Sequence, residues 1–301
     1  MLPSTMQVFE RGWLSSNNIL FAGSGKTVLV DSGYLTHAQQ TVALVRHALQ
    51  GRKLDLLVNT HLHSDHCGGN AALRREFGCR IAIPAAEAGK VRDWKEDELT
   101  FIAANQQCER FGFDETIKPG DTLLWGDLHW QALAAPGHDP HSLIFYSPEE
   151  RILISADALW ENGFGVIFPE LEGESGFAET RATLELIAGL DVRLVIPGHG
   201  APFDGVQKAL ATAFARVDYF VADPARNAQN AIKVMLKFLL LERQRVPVRE
   251  LPAMLTRGSL FIAANERYLQ KTDTELAEWA MGQLLRVGAA EVVDGILINR
   301  D

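Results

Sequence analysis

The sequence reads Thr60-His61-Leu62-His63-Ser64-Asp65-His66 directly after an apolar run at residues 54–58. Four of these seven residues carry side chains that bind metal ions in proteins. If the chain stays extended, His61 and His63 point to the same side, because side chains alternate along a strand. Asp65 and His66 follow where the chain turns toward a helix at Gly68-Gly69, which permit close approach of the backbone. The spacing therefore favours two neighbouring metals, one held by His61 and His63 and the other by Asp65 and His66.

Three more polar residues are predicted to end strands or the turns that follow them. His138 comes after the turn Ala135-Pro136-Gly137, Asp157 follows the strand at residues 152–155, and His199 ends the run at residues 194–198. A scaffold of strands can present such side chains rigidly while the adjoining loops vary. We therefore expect these three residues to complete the metal site.

The combined set resembles the metallo-β-lactamase superfamily, especially its glyoxalase II-like and lactonase-like hydrolases. The matching positions stand in the family's order over residues 8–205, and no metal-ligand position of the family is missing. They are Asp31 in Val30-Asp31-Ser32-Gly33, then His61, His63, Asp65, His66, His138, Asp157 and His199. One departure is His141, which stands where the family often has glycine.

This resemblance implies a fold and a ligand set. The fold is of the α/β class, a four-layer αββα sandwich with the metals at one edge of its sheets. A first metal would be held by His61, His63 and His138, and a second by Asp65, His66 and His199. Asp157 would bridge the two, as in the general hydrolase branch more than in the antibiotic-degrading members. Asp31 would orient one of the ligands from behind the site.

The implied chemistry is hydrolysis at a carbonyl carbon. Two divalent ions lower the pKa of water toward about 7 and hold a bridging hydroxide between them. One ion would polarise the carbonyl, and Asp65 is the expected catalytic residue, which orients the hydroxide and later carries a proton. Zinc is the expected metal because every candidate ligand is His or Asp, and iron or manganese also accept such ligands.

Several functions compete at this point. The leading hypothesis is a binuclear metal-dependent hydrolase that acts on a small thioester or lactone. The alternatives are a phosphodiesterase or ribonuclease of the same superfamily, an iron-dependent sulfur dioxygenase with a single metal, and a binding protein with a relic site. Residues 1–205 hold 16 basic and 27 acidic residues, a net charge of −11, whereas residues 206–301 carry +2. An acidic body argues against a nucleic-acid partner.

Candidate substrate contacts carry weaker signals. Trp160, Phe164 and Phe168 follow Asp157 and are candidates to line an apolar pocket, with ordinary core packing as the alternative. His141 is a candidate for substrate contact, with a supporting or surface role as the alternative. A basic stretch is either a solvated face or a contact for an anionic substrate tail; it comprises Lys233, Lys237, Arg243, Arg245 and Arg249.

The patterning predicts two unequal parts. Short β-type runs alternate with helix-type runs before residue 203, which favours two sheets with outer helices. After that the pattern is mostly helical, and the chain ends in a predicted hairpin around Asp294-Gly295. We therefore predict a catalytic domain at residues 1–205 and a helical, winged-helix-like region at residues 206–301. Residues 93–115 are either a lid over the site or a solvated surface excursion.

Composition is ordinary for a soluble globular protein, with 47% hydrophobic and 22% charged residues. No apolar stretch reaches the roughly 18 residues of a membrane helix, and the first residues lack the pattern of a signal peptide. Three cysteines without framework spacing indicate reduced thiols and a cytoplasmic location. Cys67 is either a further metal ligand or, as we favour, a small residue packed near the site. The C-terminal region also allows a homodimer.

One motif is set aside. Gly23-Ser24-Gly25-Lys26-Thr27 resembles the end of a phosphate-binding loop, but Leu20 replaces the first glycine of that motif. A strand rather than a helix is predicted to follow. We therefore expect a hairpin turn here and no nucleotide site. His37, His47 and His129 are likewise expected to be structural or surface residues.

Overall fold

Two β-sheets pack face to face in the computed structural model, which describes residues 1–300. Apolar side chains from the facing sides of both sheets share one core, which includes Phe21 and Val58 from the first sheet and Phe145 and Ile154 from the second. Helices cover the outer side of each sheet. The layers therefore run helix, sheet, sheet, helix, which is the predicted αββα sandwich.

The first sheet has six strands in sequence order. They are β1 (Met6–Phe9), β2 (Asn18–Phe21), β3 (Val28–Val30), β4 (Leu56–Val58), β5 (Arg80–Pro84) and β6 (Glu115–Ile117). The first three pair antiparallel, and β3 to β6 pair parallel. Parallel neighbours end at the same edge of a sheet, so the residues that follow β3 and β4 lie close together.

The second sheet has five strands in the order β11-β10-β9-β8-β7. They are β7 (Thr122–Trp125), β8 (Leu128–Ala134), β9 (Leu143–Ser147), β10 (Ile152–Ala156) and β11 (Leu194–Pro197). Strands β10 and β11 are parallel, and the other neighbours are antiparallel. The residues after β10 and β11 therefore also share one edge.

Amphipathic helices cover the sheets because their apolar residues recur at helical spacing. Helix α1 buries Val42, Val45 and Leu49, which are three, four and seven positions apart. The helices are α1 (Ala38–Leu49), α2 (Ser64–Cys67), α3 (Asn70–Phe77), α4 (Ala88–Asp93), α5 (Pro169–Glu172), α6 (Phe177–Ala188), α7 (Val206–Val221), α8 (Ala225–Arg243), α9 (Leu251–Leu255), α10 (Ser259–Ala264) and α11 (Asp273–Arg286). Helices α1 and α3 lie on the first sheet, and α6 and α7 lie on the second.

The C-terminal region is built from α8 to α11 and a small three-stranded sheet. Its strands are β12 (Arg245–Pro247), β13 (Ala290–Val293) and β14 (Ile296–Asn299), in the order β12-β14-β13. Positive φ angles of 51° at Asp294 and 73° at Gly295 close the predicted hairpin. Thr272 and Glu275 form a capping box that starts α11, as the Thr272-Asp273-Thr274 pattern suggests.

The buried apolar residues of helix α7 belong to the core beside the second sheet and not to the core of the C-terminal region. Its buried residues, which include Leu210 and Val217, join the cluster that contains Leu184 of α6 and Val195 of β11. A separate apolar cluster begins with α8. The domain boundary at residue 205 stays a prediction. Helix α7 begins just after this position but packs on α6, which precedes it.

Residues 93–115 connect the two parts through turns. The backbone N–H of Leu260 donates to Ala103 O at 3.1 Å, and Asn105 Nδ2 donates to Met254 O at 2.8 Å. Ala103 and Ala104 are buried in the C-terminal core. This segment is therefore packed against the C-terminal region, and the solvated excursion that we considered is wrong for its central part.

The elements that patterning did not predict are short: β6, α2, α5, α10 and β12 have three to six residues each. Such segments are fixed by their neighbours more than by their own periodicity. Within residues 1–300, no helix is both long and apolar enough to cross a membrane.

Candidate metal centre

Strand ends of both sheets converge on one site. Asp31 follows β3, His61 follows β4, and Asp157 and His199 follow the parallel pair β10 and β11. Asp31 has a φ of 57° and Ala156, just before Asp157, has a φ of 46°. Left-handed backbone is unfavourable for residues other than glycine, and such strain is frequent at functional sites. The backbone therefore departs from the strand geometry where it delivers these side chains.

The short helix α2 delivers the next ligands. His63 is still extended, with φ −67° and ψ 150°, while Asp65 and His66 lie within the helical turn. This turn packs closely on the loop after β3: a Cβ atom on Gly68 would lie 2.5 Å from Leu35 N, and one on Gly69 would lie 2.5 Å from Ser32 O. The predicted close approach at these glycines is therefore confirmed.

One group of donors consists of three imidazoles. His61 Nε2 lies 3.2 Å from His63 Nδ1, which in turn lies 2.8 Å from His138 Nε2. One ligand atom from each of the three lies within 4.8 Å of the others. The structure thus brings together the three residues that the resemblance assigns to the first metal.

A second group consists of Asp65, His66, Asp157 and His199, again with ligand atoms within 4.8 Å of one another. His199 Nε2 lies 3.0 Å from Asp65 Oδ2. Asp157 faces both groups, because its Oδ2 lies 3.4 Å from His138 Nε2 and its Oδ1 lies 3.5 Å from His66 Nε2. This is the arrangement expected of a bridging carboxylate.

Hydrogen bonds behind the site fix the imidazole rings. His66 Nδ1 donates to Asp31 Oδ2 at 2.8 Å, and His138 Nδ1 donates to Val166 O at 2.5 Å. Asp31 also accepts from the backbone N–H and the hydroxyl of Thr60, at 2.9 and 2.8 Å. With Nδ1 protonated, the lone pair of each ring is on Nε2, which faces the other donors of the site.

The donor set fits divalent cations. His66 Nε2, which faces the second group, is a buried atom without a hydrogen-bond partner among the described residues. Buried polar atoms normally have a partner, so this atom indicates a missing one. The space is also kept free of side chains: a Cβ atom on Gly198 would lie 2.1 Å from Asp157 Oδ1. His and Asp donors of this kind suit zinc, iron or manganese.

The electrostatics of the site keep most donors deprotonated, as metal binding requires. Burial lowers the pKa of His63 to about 4, and burial together with the charge of His63 lowers that of His138 to about 4. Burial tends to raise the pKa of Asp157, but the surrounding imidazoles, led by His66, outweigh it and hold this pKa well below its usual range. For His66 the balance is reversed, because the carboxylates of Asp157, Asp31 and Asp65 outweigh burial and raise its pKa. A cation would replace the proton that these carboxylates attract.

Cys67 is buried beside the site but does not join the donor groups found among residues 1–300. Its Sγ lies 3.8 Å from Cys108 Sγ and donates weakly to Leu62 O. The packing role that we favoured agrees with this position.

A cavity of about 470 Å³ opens onto both donor groups. Trp160, Phe164 and Phe168 line it, as the sequence suggested. Phe168 packs edge-on against His63, with ring centroids 5.1 Å apart. Trp13 also lines the cavity; it is 58% exposed and stacks on His199 with ring centroids 5.3 Å apart. Sequence reasoning missed Trp13 because a single tryptophan before a strand carries no pattern.

One wall of this cavity is cationic. Arg216 of α7 and Lys233 and Lys237 of α8 line it, together with Asn230. Lys237 is held by the C-terminal strand, since its Nζ donates to Ala289 O, Asn299 Oδ1 and Arg300 O. The remaining members of the predicted basic stretch, Arg243, Arg245 and Arg249, are exposed. Arg216 was not among the sequence candidates.

A second cavity of about 350 Å³ shares His63, His138 and Phe168 with the first and is acidic. Its lining includes Glu87, Asp97, Glu98, Asp139, Glu172 and Glu174. His141 does not line either cavity; its imidazole pairs with Glu87, and its backbone N–H donates to Asp139 at 2.8 Å. Substrate contact by His141 stays a prediction, and the structure places this residue behind the acidic wall.

The glycine-rich segment at residues 23–27 joins the antiparallel strands β2 and β3, so the predicted hairpin turn is confirmed. Ser24 donates from its backbone and its hydroxyl to Asp127. The carboxylate of Asp127 at this loop would repel a phosphate, which binds to backbone N–H groups and cations.

Comparison with known proteins agrees with this geometry. The chain is 28% identical over 180 residues to a hydroxyacylglutathione hydrolase of Brucella anthropi, covering 60% of this chain and 56% of that protein. It is 28% identical over 146 residues to a hydroxyacylglutathione hydrolase of Hyphomonas neptunium, covering 48% of each. The chain thus spans about half the length of these curated relatives.

A solved structure matches the whole chain. A metallo-beta-lactamase family protein from Thermus thermophilus superposes with a TM-score of 0.59 at 19% identity, and the match covers 100% of both chains. At this identity the likeness shows the fold alone. The family model of the metallo-beta-lactamase superfamily matches residues 11–199, which include every candidate metal ligand. This chain belongs to the metallo-β-lactamase superfamily.

Proposed function

We propose that this chain is a hydrolase that uses two divalent ions, zinc by preference, to cleave a small thioester. The observation that carries the proposal is the position of Asp157, with one oxygen 3.4 Å from His138 Nε2 and the other 3.5 Å from His66 Nε2. A carboxylate that faces two donor groups suits a pair of ions more than a single one. This favours a binuclear hydrolase over a dioxygenase with one metal.

Each residue of the site has a role under this proposal. His61, His63 and His138 would hold one ion, and Asp65, His66 and His199 the other, with Asp157 between them. When bound, such ions supply a Lewis acid and a nucleophile at neutral pH. Asp65 lies 3.0 Å from His199 Nε2 at the cavity wall, where its carboxylate can orient a water molecule and accept its proton.

The cavity supports an acyl substrate. Trp13, Trp160, Phe164 and Phe168 give it apolar walls next to the donor groups. A thiolate leaving group needs little help from a general acid, so the site requires no further proton donor for a thioester. The name shared by the curated relatives, hydroxyacylglutathione hydrolase, also favours acyl transfer from sulfur. A lactone is the second candidate, since it fits the same carbonyl chemistry.

Cleavage of nucleic acid is less well supported. The site is flanked by the acidic cavity that contains Glu87, Asp97 and Glu172. A phosphate backbone that ran across the metals would meet these carboxylates, which repel it. The homodimer and the cytoplasmic location remain predictions from the sequence; mass measurement in solution would test the first.

An activity panel on protein with measured metal content tests the proposal. It offers an S-acylglutathione, an acyl-coenzyme A, acetyl-pantetheine, a lactone, a bis-phosphodiester and glutathione persulfide. We expect turnover of at least one thioester that disappears on chelation and returns with zinc. Turnover of the phosphodiester or the persulfide without any carbonyl substrate would replace the proposed function by the corresponding alternative.

A further inference from the structure

We propose that Arg216 and Lys233 form a binding site for an anionic group, a carboxylate or a phosphate, on the wall of the cavity that α7 and α8 provide. The site would hold the non-reacting part of the substrate while its carbonyl lies at the donor groups. This inference rests on the proposed function only in identifying the bound molecule as a substrate. The anion site itself can be tested by binding alone.

The guanidinium of Arg216 is held in a fixed position. Its Cζ lies 5.1 Å from the ring centroid of Phe164 and 5.4 Å from that of Phe220. A Cβ atom on Gly163 would lie 2.7 Å from Nη1, so only glycine leaves room for this group. Two aromatic rings and a backbone therefore position the cation before any ligand arrives, which lowers the entropy lost on binding.

Lys233 brings a second cation to the same wall without a counter-ion. Within residues 1–300, the ion pairs between basic and acidic side chains, such as those of Arg151, Arg181 and Arg193, include neither Lys233 nor Arg216. Burial and the charges of Arg216 and Arg286 lower the pKa of Lys233. Two partly buried like charges are unfavourable unless an anion joins them.

Asn230 adds an unused donor beside the two cations. It lies one helical turn before Lys233 on α8, and its Nδ2 is a buried atom without a hydrogen-bond partner among the described residues. Residues three positions apart on a helix lie on the same face. An amide N–H, an ammonium and a guanidinium on one wall are the donors that recognise carboxylate or phosphate oxygens.

The two cavities carry opposite charges, which favours one orientation of the bound substrate. Both cavities meet at His63 and His138, but the second is lined by carboxylates such as Glu87 and Glu172. An anionic group is repelled from that side and attracted to Arg216 and Lys233. The anionic part of a thioester would therefore lie toward α7 and α8, and the rest would extend to the metals.

One segment links the anion site to the metal site. This segment, residues 157–168, begins at Asp157, the proposed bridging residue. Within it, Phe164 packs against the guanidinium of Arg216, and the Val166 carbonyl accepts the hydrogen bond that orients His138. Gly165 lies directly on that imidazole, since a Cβ atom there would be 2.5 Å from His138 Nδ1. The two sites thus share a short, well-packed stretch of chain, which fixes the distance that a substrate must span.

Binding of unreactive probes tests the anion site. Calorimetry on the full-length, metal-loaded chain would compare S-methylglutathione with its dimethyl ester, and S-methyl-coenzyme A with S-methylpantetheine. The blocked sulfur prevents thiolate binding to the metals. The first pair reports on carboxylates and the second on phosphates. Variants are Arg216→Gln, Lys233→Gln and the double variant, with Lys208→Met on α7 and Arg243→Met on α8 as exposed controls.

We expect at least one anionic probe to bind about tenfold tighter than its partner without the anionic groups, which is the effect of one good charged contact. The double variant should reduce this advantage to about threefold or less, while Lys233→Arg and both controls retain it. Equal binding of both members of each pair, or an unchanged advantage in the double variant, would overturn the inference. Hydrolysis of neutral acetyl-pantetheine without any anion preference would leave the proposed function intact and remove only this site.

Discussion

Asp31 holds His66 by a hydrogen bond of 2.8 Å from Nδ1, and this contact leaves Nε2 as the only ring atom that can bind a metal. The same carboxylate accepts from Thr60, at the end of the neighbouring strand. Asp31 therefore fixes both the tautomer of a ligand and the register of two strand ends.

Asp31→Asn should weaken metal binding by roughly 10- to 100-fold, because an amide N–H2 would face two hydrogen-bond donors and turn His66 away. Competition with a chromogenic chelator measures the change. Asp55→Asn is the matched control, since Asp55 also accepts from a backbone N–H and a hydroxyl, those of Thr27, away from the site. Equal metal affinity in the two variants would show that Asp31 has only a structural role.

Asp157→Ala should reduce the bound metal from two ions per chain to one or fewer and remove most activity. The reason is that Asp157 is the carboxylate that contacts both donor groups. Elemental analysis of the purified protein gives the stoichiometry. Asp55→Asn is a suitable comparison, because Asp55 also accepts hydrogen bonds but lies outside both groups. Unchanged stoichiometry and rate in Asp157→Ala would contradict the bridging assignment.

Lys233→Met should stabilise the ligand-free protein by roughly 0.5 kcal/mol while it weakens binding of anions. The substitution removes a half-buried cation that faces Arg216 and Arg286, and it keeps most of the apolar stem. Thermal unfolding with and without S-methyl-coenzyme A measures both effects. Arg243→Met, on the exposed part of the same helix, should change neither. Loss of stability in Lys233→Met would mean that the lysine has a partner in solution.

Glu87→Gln should destabilise the protein most at mildly acidic pH. The hydrogen bond that His141 donates to Glu87 raises the pKa of His141, so its contribution is complete below the unfolded value of 6.5 and is lost as the pH rises through the folded value. Burial opposes ionisation of Glu87, yet His141 and Lys90 outweigh it and lower its pKa, so its contribution fades as the pH falls below 4.5. The stability difference between wild type and variant is therefore largest between these values.

Chemical denaturation at several pH values measures this difference. Asp139 also faces His141 and titrates with a raised pKa, but it is present in both proteins. The exposed pair of His129 and Glu149 provides a control, since Glu149→Gln should have little effect at any pH. A penalty for Glu87→Gln that does not vary between mildly acidic and alkaline pH would contradict the assigned pair.

Sequence reasoning succeeded where the residue types or their spacing are distinctive over a short stretch of the chain. The candidate ligands His61, His63, Asp65, His66, His138, Asp157 and His199 could be predicted because histidine is a rare residue type and four of the seven cluster after one apolar run. The long helices α7 and α8 were found because sixteen and nineteen residues show a clear period. Both signals come from residues that are close together in the sequence, and both are found in the folded structure.

It failed where a feature depends on distant packing. The strand Glu115–Ile117 has three residues in a charged stretch and exists because it pairs with β5. Arg216 and Lys233 stand 17 positions apart on different helices, so their meeting depends on how α7 packs against α8. Trp13 lies far from His199 in the chain and reaches it only through the fold.

Gly198 has no donor atom, yet any side chain there would run into Asp157, since even a Cβ atom would lie 2.1 Å from Oδ1 and 3.1 Å from His66 Cε1. A related chain that keeps this site therefore needs glycine at this position as strictly as it needs each ligand. A descendant that lost Gly198 would lose the metal centre with all seven ligands still in its gene. Survival of the ligand pattern alone is thus an incomplete test of whether a related chain retains its chemistry.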